Sequence, residues 1–488
     1  MPLRFFNTYS RKIEEFVPRD DHKVGMYTCG PTVYSRAHVG NFRAYIFEDL
    51  LQRHLEARGL DVHRVMNITD VDDKTIRGAR DAKIPLQEFT QQFKDAFFED
   101  AGTLRIKPAD EYPSATDQRY IDKMIAMISA LISKGLAYQA DDKSVYYRIN
   151  KFPNYGKLAH IDLAELKPTG RVRNDEYDKE HIGDFALWKA WDADDGDVKW
   201  DSPWGPGRPG WHIECSAMAT AILGDQIDIH CGGVDNIFPH HEAEIAQSEG
   251  VTGKKFVNLW LHCAHLLVDG QKMAKSLGNF YTVPDVLAKG YTGRELRYAL
   301  MRVHYRTQLN FTWDGMKEAR ESLERIDEWL LRVQNAAKEK SSSSWAEPVM
   351  GDFAAALDDD LNISDALAVL FEQIRESNRL FDSGSVHPLL AKAWLQWWEK
   401  INGVLRIEPG EPRVYIMVAE TGKFTLSGSL TAEKIPAEVA KLAEERAQAR
   451  LAKDFRKSDE LRDKLNALGW EARDTKDGQK ITRRAGAK

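Results

Sequence analysis

The feature that most constrains the fold is a strand–loop–helix–strand pattern close to the N-terminus. An apolar run, Val24–Cys29, predicts the first strand, and Gly30 and Pro31 stop it. The apolar positions of Phe42–Arg58 recur at helical spacing, and Val62–Asn67 predicts a second strand. A helix that connects two strands in this way places them in a parallel sheet, whose carboxyl-end edge forms a crevice for ligands. We therefore predict an α/β fold built on a parallel sheet.

Three polar or reactive residues, Cys29, His38 and Thr69, follow the predicted strands and are expected at that edge of the sheet. His38 and Asn41 flank a glycine at the start of the predicted helix. The helix dipole, the unpaired N–H groups of the first turn and a glycine that permits close approach all favour a bound phosphate there. Asn41 is equally suited to cap the helix, so this segment alone leaves both roles open.

A second stretch, Gly207–Gly250, holds two of the four cysteines, four of the fourteen histidines and several glycines. Trp211–Thr220 and Pro239–Gln247 predict helices, and Gln226–His230 predicts a strand between them. We expect Cys231–Gly233 to form a tight turn. A strand, a glycine turn and a helix let backbone N–H groups approach a nucleotide, because glycine removes the side chain from the contact.

Two interpretations compete for the polar residues of this stretch. His240 and Glu244 are four residues apart and project from one helix face, with Cys215 and Cys231 nearby in sequence. Thiolate, imidazole and carboxylate are typical zinc ligands. The same residues are compatible with a solvated ion pair and two small buried hydrophobes. Neither H-E-x-x-H nor C-x-x-C spacing occurs here, so the pattern does not decide between a metal site and ordinary packing.

Further along the chain, Lys272, Lys275 and Ser276 follow the turn-forming pair Asp269-Gly270. Two exposed lysines normally serve only solubility. Together with an anion-binding helix end upstream, they predict a clamp for the phosphates of a nucleotide.

The composition argues against a membrane protein and against a protein held together by disulfides. With 488 residues, 29% of them charged and 43% hydrophobic, and a net charge of −7, the chain resembles globular proteins with several domains. No apolar run approaches membrane-spanning length, and the first residues lack a signal-peptide core, so we expect no membrane association. Four cysteines make no disulfide framework and indicate a reducing cytoplasm. Residues 431–488 hold 15 basic and 11 acidic residues, which favours local contact with nucleic acid.

Two motifs carry a family resemblance. His38-Val39-Gly40-Asn41 and Lys272-Met273-Ala274-Lys275-Ser276 resemble the HIGH and KMSKS signatures of class I aminoacyl-tRNA synthetases. Four segments narrow the resemblance to cysteinyl-tRNA synthetases: MYTCGPTVY (residues 26–34), NITD (67–70), GWHIECS (210–216) and FPHHE (238–242). The similarity extends from about Phe5 to Arg484. Asn41 replaces the last His of HIGH, and Ala274 replaces the first Ser of KMSKS. Because an amide donor and both lysines remain, we expect activity to be kept.

The resemblance implies a class I Rossmann-type parallel-sheet catalytic domain with a short insertion, followed by an α-helical anticodon-side domain and a small mixed C-terminal module. The expected segments are the first catalytic half (1–112), the connective insertion (113–184), the second catalytic half (185–270), the KMSKS loop and stem-contact region (271–315), the helical tRNA-binding domain (316–415) and the C-terminal anticodon-binding module (416–488). The insertion is short for a proofreading domain.

The resemblance also implies a cysteine–tRNA ligase, which activates L-cysteine with ATP as cysteinyl-adenylate and transfers it to the 3′ end of its tRNA. By resemblance, a single zinc is bound by Cys29, Cys215, His240 and Glu244. Cys231 and Cys263 are not ligands by the same comparison. The shape of a pocket separates cysteine from serine poorly, whereas zinc binds a thiolate strongly and a neutral hydroxyl weakly.

Further roles follow from the same resemblance. Gly30, Thr69 and Trp211 are expected to contact the cysteine substrate. The residues implied for ATP, bound with Mg²⁺, are His38, Gly40, Asn41, Gly232, Gly233, Asp235, Lys272, Lys275 and Ser276. Those implied to be catalytic, by stabilising charge on the triphosphate, are His38, Asn41, Lys272 and Lys275. The positions implied to contact the anticodon are Arg450, Phe455, Asp459 and Asp474, although ordinary helix-face charges would give the same pattern.

The expected partners are tRNA, L-cysteine and ATP, and we expect a cytoplasmic monomer. Two alternative functions share parts of this pattern. The cysteine ligase of mycothiol synthesis has the same zinc site and signatures but joins cysteine to an amino sugar, so the basic C-terminal module argues against it. A catalytically silent tRNA-binding regulator has no need of the intact His38, Lys272 and Lys275 or of a full ligand set.

Overall fold

The structure is a computed structural model that describes residues 2–161, 184–274, 277–338, 351–409, 415–418, 424–427, 436–475 and 478–483. The chain forms two compact units that are interleaved in sequence. The first unit comprises Met1–Val283, Ala299–Thr312 and Gly351–Leu370. The second comprises Pro284–Tyr298, Trp313–Met350 and Phe371–Lys488.

The described strands, in chain order, are β1 (Arg4–Asn7), β2 (Lys12–Glu15), β3 (Lys23–Thr28), β4 (Asp61–Met66), β5 (Ala137–Gln139), β6 (Val145–Tyr147), β7 (Phe185–Ala190), β8 (Gly207–Pro209), β9 (Ile227–Gly233), β10 (Val257–Cys263), β11 (Leu266–Val268), β12 (Gln271–Lys272), β13 (Leu309–Phe311), β14 (Tyr415–Val418), β15 (Phe424–Ser427), β16 (Trp470–Thr475) and β17 (Gly478–Arg483). The described α-helices are α1 (Val39–Ala57), α2 (Asp73–Ala82), α3 (Leu86–Thr103), α4 (Gln118–Ser133), α5 (Trp211–Leu223), α6 (Val234–Asn236), α7 (Glu242–Thr252), α8 (Val283–Ala288), α9 (Gly293–Met301), α10 (Trp313–Ala337), α11 (Gly351–Asp358), α12 (Ile363–Asp382), α13 (Pro388–Leu405), α14 (Ala437–Leu451) and α15 (Phe455–Ala467).

A four-stranded parallel sheet lies at the centre of the first unit, with strand order β10-β9-β3-β4. The predicted βαβ unit is confirmed, since β3 and β4 are parallel neighbours connected through α1. Helix α1 begins at Val39, three residues earlier than the apolar spacing predicts. The reason is local, because His38 and Asn41 satisfy the first-turn N–H groups reciprocally and so extend the helix toward its N-terminus.

The expectation of a tight turn at Cys231–Gly233 is wrong, because these residues form the last part of β9. They pair in parallel with Leu261–Cys263 of β10, and the backbone hydrogen bonds of that ladder hold the glycines extended. The regular helix that follows starts at Glu242, after a kinked segment, Ile237–His241, in which the backbone of Phe238 is extended (φ −137°, ψ 131°). The glycines therefore end a buried strand and do not reverse the chain.

An antiparallel sheet, β5-β6-β7-β8, lies next in the first unit; β5 and β6 belong to the predicted connective insertion, whereas β7 and β8 belong to the predicted second catalytic half. Its buried residues Val145, Tyr147 and Leu187 belong to the same apolar core as Tyr27 and Ile227 of the parallel sheet. The insertion therefore packs on the catalytic sheet through a continuous core. The segment boundaries given above remain predictions.

The second unit is largely helical and includes a small antiparallel sheet, β15-β14-β17-β16. The buried residues Val439, Leu465, Trp470 and Ile481 form the core between α14, α15 and this sheet. Among the residues described in both units, no helix combines the length and the apolar composition that crossing a membrane requires.

Candidate active site

The candidate site lies at the carboxyl ends of the parallel strands, where the sequence places it. Cys29 directly follows β3, and its N–H donates to the carbonyl of Cys231 in β9 at 3.2 Å. Thr69 follows β4, and its N–H donates to the carbonyl of Pro31 at 3.1 Å. The loops after β3 and β4 are thus bonded to each other, which fixes the floor of the crevice.

A cluster of two thiols, an imidazole and a carboxylate forms part of this floor. One ligand atom from each of Cys29, Cys215, His240 and Glu244 lies within 4.8 Å of all the others. Nε2 of His240 is 3.4 Å from Sγ of Cys215 and 3.2 Å from Oε1 of Glu244. Cys215, His240 and Glu244 are buried, whereas Cys29 is partly exposed. The structure therefore brings together the four residues that the resemblance assigns to a metal, although they come from four segments: the loop after β3, α5, Ile237–His241 and α7.

The electrostatics of the cluster fit a divalent cation. Burial lowers the pKa of His240 well below its ordinary value, so the ring is neutral, as a metal ligand must be. Burial also raises the pKa of Glu244, which is partly offset by His230. Oε1 of Glu244 is buried and, although Nε2 of His240 lies 3.2 Å away, it accepts no hydrogen bond of good geometry from the described residues. A soft–borderline donor set with an unsatisfied carboxylate oxygen suits Zn²⁺, whose charge reverses the penalty that burial places on the anionic ligands.

A second set of donors overlaps the first. Cys29 and Glu244 also lie within 4.8 Å of the ring nitrogens of His230 and His241. His230 Nε2 is 2.9 Å from Glu244 Oε2, and His241 Nε2 is 3.2 Å from Cys29 Sγ. The sequence analysis did not single out these two histidines. His241 lies in the FPHHE segment and three residues before Glu244, so it shares the helix face of that residue, whereas His230 has no local signal.

The residues predicted to contact the amino acid surround the cluster. Trp211 is 44% exposed, and its ring lies 4.5 Å from that of His240. The hydroxyl of Thr69 donates to Glu214 Oε2 at 2.9 Å and accepts from Asn67 Nδ2 at 3.1 Å. An exposed indole over a buried metal-type cluster is a suitable wall for a small substrate.

Gly30 has a structural role that is visible in the backbone. Its N–H donates to Oδ1 of Asn67 at 2.9 Å. A Cβ built at this position would lie 1.7 Å from the carbonyl oxygen of Asn67, a distance that no side chain can adopt. The close approach of the loops after β3 and β4 thus requires glycine here, whatever its contact with substrate.

The start of α1 is a reciprocal helix cap, and the N–H groups of Val39 and Asn41 in its first turn are already bonded within the protein. The N–H of His38 donates to Asn41 Oδ1 at 3.0 Å, and the N–H of Asn41 donates to His38 Nδ1 at 3.2 Å. The capping role of Asn41 is therefore present. Because Nδ1 of His38 accepts a hydrogen bond, the proton of the neutral ring is on Nε2, which makes that atom a donor.

The two signature motifs lie against each other. A Cβ at Gly40 would lie 3.0 Å from the ring of His38 and 3.6 Å from Cε of Met273. The N–H of Val39 donates to the carbonyl of Tyr281 at 2.9 Å. Lys272 is exposed at the end of β12, whereas Lys275 and Ser276 lie outside the described residues. The start of α1 and the segment that carries Lys272 thus border one site.

The remaining residues predicted for ATP lie at the end of β9. Gly232 leaves room for the ring of His241, since a Cβ there would be 2.8 Å from its Cε1. Gly233 is partly exposed and precedes Asp235, whose Oδ2 is 3.2 Å from Nδ1 of His265. Exposed polar groups beside a glycine at a strand end are compatible with a ribose contact.

The positions predicted for the anticodon lie in the second unit. Arg450 is at the end of α14, and its guanidinium is 5.9 Å from the ring of Phe455, which is 58% exposed at the start of α15. Asp459 is exposed and pairs with Arg462 at 3.1 Å. Asp474 belongs to β16, but its side chain lies outside the described residues.

Comparison with known proteins identifies the family. Residues 15–321 match the model described as the tRNA synthetases class I (C) catalytic domain, residues 352–405 match the DALR domain, and residues 432–481 match the cysteinyl-tRNA ligase anticodon binding domain. The cysteine–tRNA ligase of Protochlamydia amoebophila is 48% identical, over 99% of this chain and 98% of the relative. The chain belongs to the cysteine–tRNA ligase family.

Other relatives agree with this assignment. The cysteine–tRNA ligases of Chlamydia muridarum and Brachyspira hyodysenteriae are 46% and 47% identical, over 99% and 98% of this chain and 99% of each relative. Mycobacterium tuberculosis methionyl-tRNA synthetase in complex with methionyl-adenylate has a TM-score of 0.56 at 14% identity, over 79% of this chain and 90% of that chain. The last similarity concerns the fold alone.

These comparisons confirm three of the predictions made from the sequence. The family is that of the cysteinyl-tRNA synthetases, the fold is that of class I synthetases, and the enzyme class is a ligase that forms an aminoacyl-tRNA bond. The individual roles of the site residues remain predictions.

Proposed function

We propose that this chain is a cysteine–tRNA ligase that selects its amino acid through a zinc-bound thiolate. The observation that carries the proposal is the convergence of Cys29, Cys215, His240 and Glu244 at the carboxyl ends of the parallel strands. Zinc would supply a Lewis acid that binds the substrate's thiolate strongly and a neutral hydroxyl weakly. Cysteine and serine are near-isosteres, so the shape of a pocket alone favours one over the other by only about 10²-fold.

The protein's own residues define the rest of the amino-acid pocket. Trp211 covers His240 and limits the space above the cluster, which favours a small side chain. The hydroxyl of Thr69 donates to Glu214 and accepts from Asn67, which leaves its oxygen one further lone pair. An acceptor at this point suits the α-ammonium group of an amino acid.

The ATP side of the site is formed by the two signature motifs. His38 donates from Nε2, and Lys272 offers an exposed ammonium group. Adenylate formation displaces pyrophosphate from the α-phosphate when the cysteine carboxylate attacks it, so the protein acts mainly by positioning and by stabilising charge. We assign this work to His38, Asn41, Lys272 and Lys275, with Mg²⁺ bound to the triphosphate, and we assign ATP contacts to Gly40, Gly232, Gly233, Asp235 and Ser276.

The second step transfers the cysteinyl group to the 2′-hydroxyl at the 3′ end of tRNA. The exposed Phe455 beside Arg450 offers a surface on which an anticodon base can stack. Asp459 and Asp474 are the acidic positions of the same proposed interface. We propose a monomer that works in the cytoplasm, where its tRNA, L-cysteine and ATP meet.

Aminoacylation tests the proposal directly. The purified chain is incubated with ATP, Mg²⁺, radiolabelled cysteine and a tRNA pool, and the label in acid-precipitable tRNA is measured beside ATP–pyrophosphate exchange. We expect both exchange and charging. Exchange without charging would favour a ligase with a small-molecule acceptor, and the absence of both would contradict the proposal.

A further inference from the structure

A buried arginine on α1 binds backbone carbonyls that flank β11 and β13. Arg43 lies five residues after His38 and is only 2% exposed. Its Nη1 donates to the carbonyl of His265 at 2.9 Å, and its Nη2 donates to the carbonyls of His304, at 3.3 Å, and Thr307. One guanidinium therefore contacts the backbone at three points that are distant in sequence from α1.

Burying the charge of Arg43 is energetically unfavourable, and its three contacts require the shape of a guanidinium group. No carboxylate of the described residues lies within ion-pair distance of Arg43, and burial lowers its pKa. A buried cation without an anionic partner is unfavourable unless its hydrogen bonds compensate for lost hydration. The planar fork of an arginine can reach three carbonyls at once, whereas a lysine presents one point charge.

The three carbonyls belong to the support of the Lys272 segment. His265 directly precedes β11, and Thr307 lies two residues before β13. Strand β11 pairs with β13 on one side and with β12, which contains Lys272, on the other. By holding the starts of β11 and β13, Arg43 fixes the small sheet from which Lys272 extends.

The other end of the same segment is also bonded to α1. The N–H of Val39 donates to the carbonyl of Tyr281 at 2.9 Å, and the ring of Phe280 lies 5.1 Å from that of His38. The chain between His265 and Tyr281 is therefore attached to one helix at both of its ends. The first attachment depends on the Arg43 side chain, whereas the second uses the backbone.

We propose that Arg43 is a positioning residue that sets the placement of Lys272 relative to His38 and thereby the binding of the ATP phosphates. The proposal rests on the proposed function, because it assigns both motifs to ATP. Arg43 itself contacts neither substrate in this account. Its loss should therefore affect ATP and leave the recognition of cysteine and the bound zinc intact.

Two variants and a matched control test this role. Arg43→Lys keeps the charge without the fork, and Arg43→Gln keeps two donors without the buried charge. Arg53→Lys is the control, because Arg53 lies on the same helix and pairs with Asp49 at 2.9 Å. The measurements are ATP–pyrophosphate exchange at varied ATP and cysteine, zinc content, Tm, and the rate of tryptic cleavage after Lys272.

For both Arg43 variants we expect kcat/KM for ATP to fall about tenfold to a hundredfold, the range that a small misplacement of a binding group produces. KM for cysteine and the zinc content should match those of Arg53→Lys, and cleavage after Lys272 should be faster. Equal losses for ATP and cysteine, or losses that follow Tm in all three variants, would reduce Arg43 to a structural role and overturn the proposal.

The proteolysis measurement separates this proposal from the proposed function. If the unmodified chain shows no cysteine-dependent exchange, the proposed function fails, whereas faster cleavage after Lys272 in the Arg43 variants still supports the attachment. If exchange occurs in the unmodified chain and neither cleavage nor the kinetics for ATP change in the variants, the positioning role alone is contradicted.

Discussion

The two halves of the candidate site differ in how the chain builds them. The thiol–imidazole–carboxylate cluster has three buried members, each fixed by close contacts to the others. The half predicted to bind phosphate is formed by His38, which is partly exposed at the start of a helix, and by Lys272, which is exposed at the end of a short strand. In the proposed function, the first half discriminates between two nearly identical amino acids, and the second stabilises the charge of a large, mobile triphosphate.

This comparison indicates that selecting an amino acid and stabilising phosphate charge require different degrees of burial. Ligand exchange at a metal depends on fixed donors, so their burial in a rigid core is an advantage. Phosphates arrive with their own charge and water, so exposed donors at a helix N-terminus suffice and can be supported from beneath, as Arg43 is proposed to do. Substitutions in the two halves should therefore separate zinc content from activity.

The largest effect is expected in the buried half. Cys215→Ala removes one donor from the four-residue cluster and should abolish zinc retention and lower kcat/KM for cysteine by more than ~10²-fold, since losing an outer-shell partner alone costs up to that much. Zinc content by atomic spectroscopy and pyrophosphate exchange measure both. Cys231→Ala, in an equally buried thiol of β9, should retain the metal; equal losses in the two variants would argue against the assigned ligands.

His38→Ala should give the next largest effect. Removing one donor aimed at developing charge typically costs about 10²-fold to 10³-fold in kcat. We expect pyrophosphate exchange to fall by about that factor while zinc content stays unchanged. Loss of zinc in this variant would mean that the two halves are not independent.

A smaller effect is expected from Gly40→Ala. The new Cβ would lie 3.0 Å from the His38 ring and push it away from its cap, so kcat/KM for ATP should fall about tenfold. Gly102→Ala in α3 is the control, because its Cβ would meet nothing within 4 Å and alanine is the better helix former. An unchanged ATP dependence in Gly40→Ala would show that the His38 ring tolerates displacement.

The smallest effect concerns the second unit. Phe455→Ala removes an exposed ring whose stacking on a base is worth at least about 1 kcal/mol, so KM for tRNA should rise about fivefold with pyrophosphate exchange unaffected. Phe98→Ala, a similarly exposed ring (42%) in α3 of the first unit, should leave KM for tRNA unchanged. An equal rise in KM for tRNA in both variants would contradict a stacking role for Phe455.

Local periodicity predicts the elements that carry the site. The spacing of apolar residues predicts β3, α1 and β4 and places Cys29 and Thr69 at one edge of the sheet. It fails at Cys231–Gly233, where pairing with β10 overrides the turn preference of glycine. The conformational preference of a residue is a local property, whereas its pairing in a buried sheet depends on a strand elsewhere in the chain.

The ligand set could not be derived from spacing, because Cys29 and Cys215 meet only through the tertiary fold. Family resemblance supplied that set, and the structure brings its members together. His230 and Arg43 carry no sequence signal comparable to a motif, and the contact of His241 with Cys29 is not visible from its FPHHE segment, since these contacts join elements far apart in the chain. Such residues become visible only when the packing is known.

The most direct test of the central claim compares cysteine with serine in ATP–pyrophosphate exchange, with and without the metal. In the zinc-loaded chain, cysteine should support exchange more than ~10²-fold better than serine, beyond what pocket shape alone provides. Chelation should abolish exchange with cysteine, and added Zn²⁺ should restore it. A preference for cysteine that survives complete removal of the metal in the folded protein would contradict selection by the Cys29–Cys215–His240–Glu244 cluster.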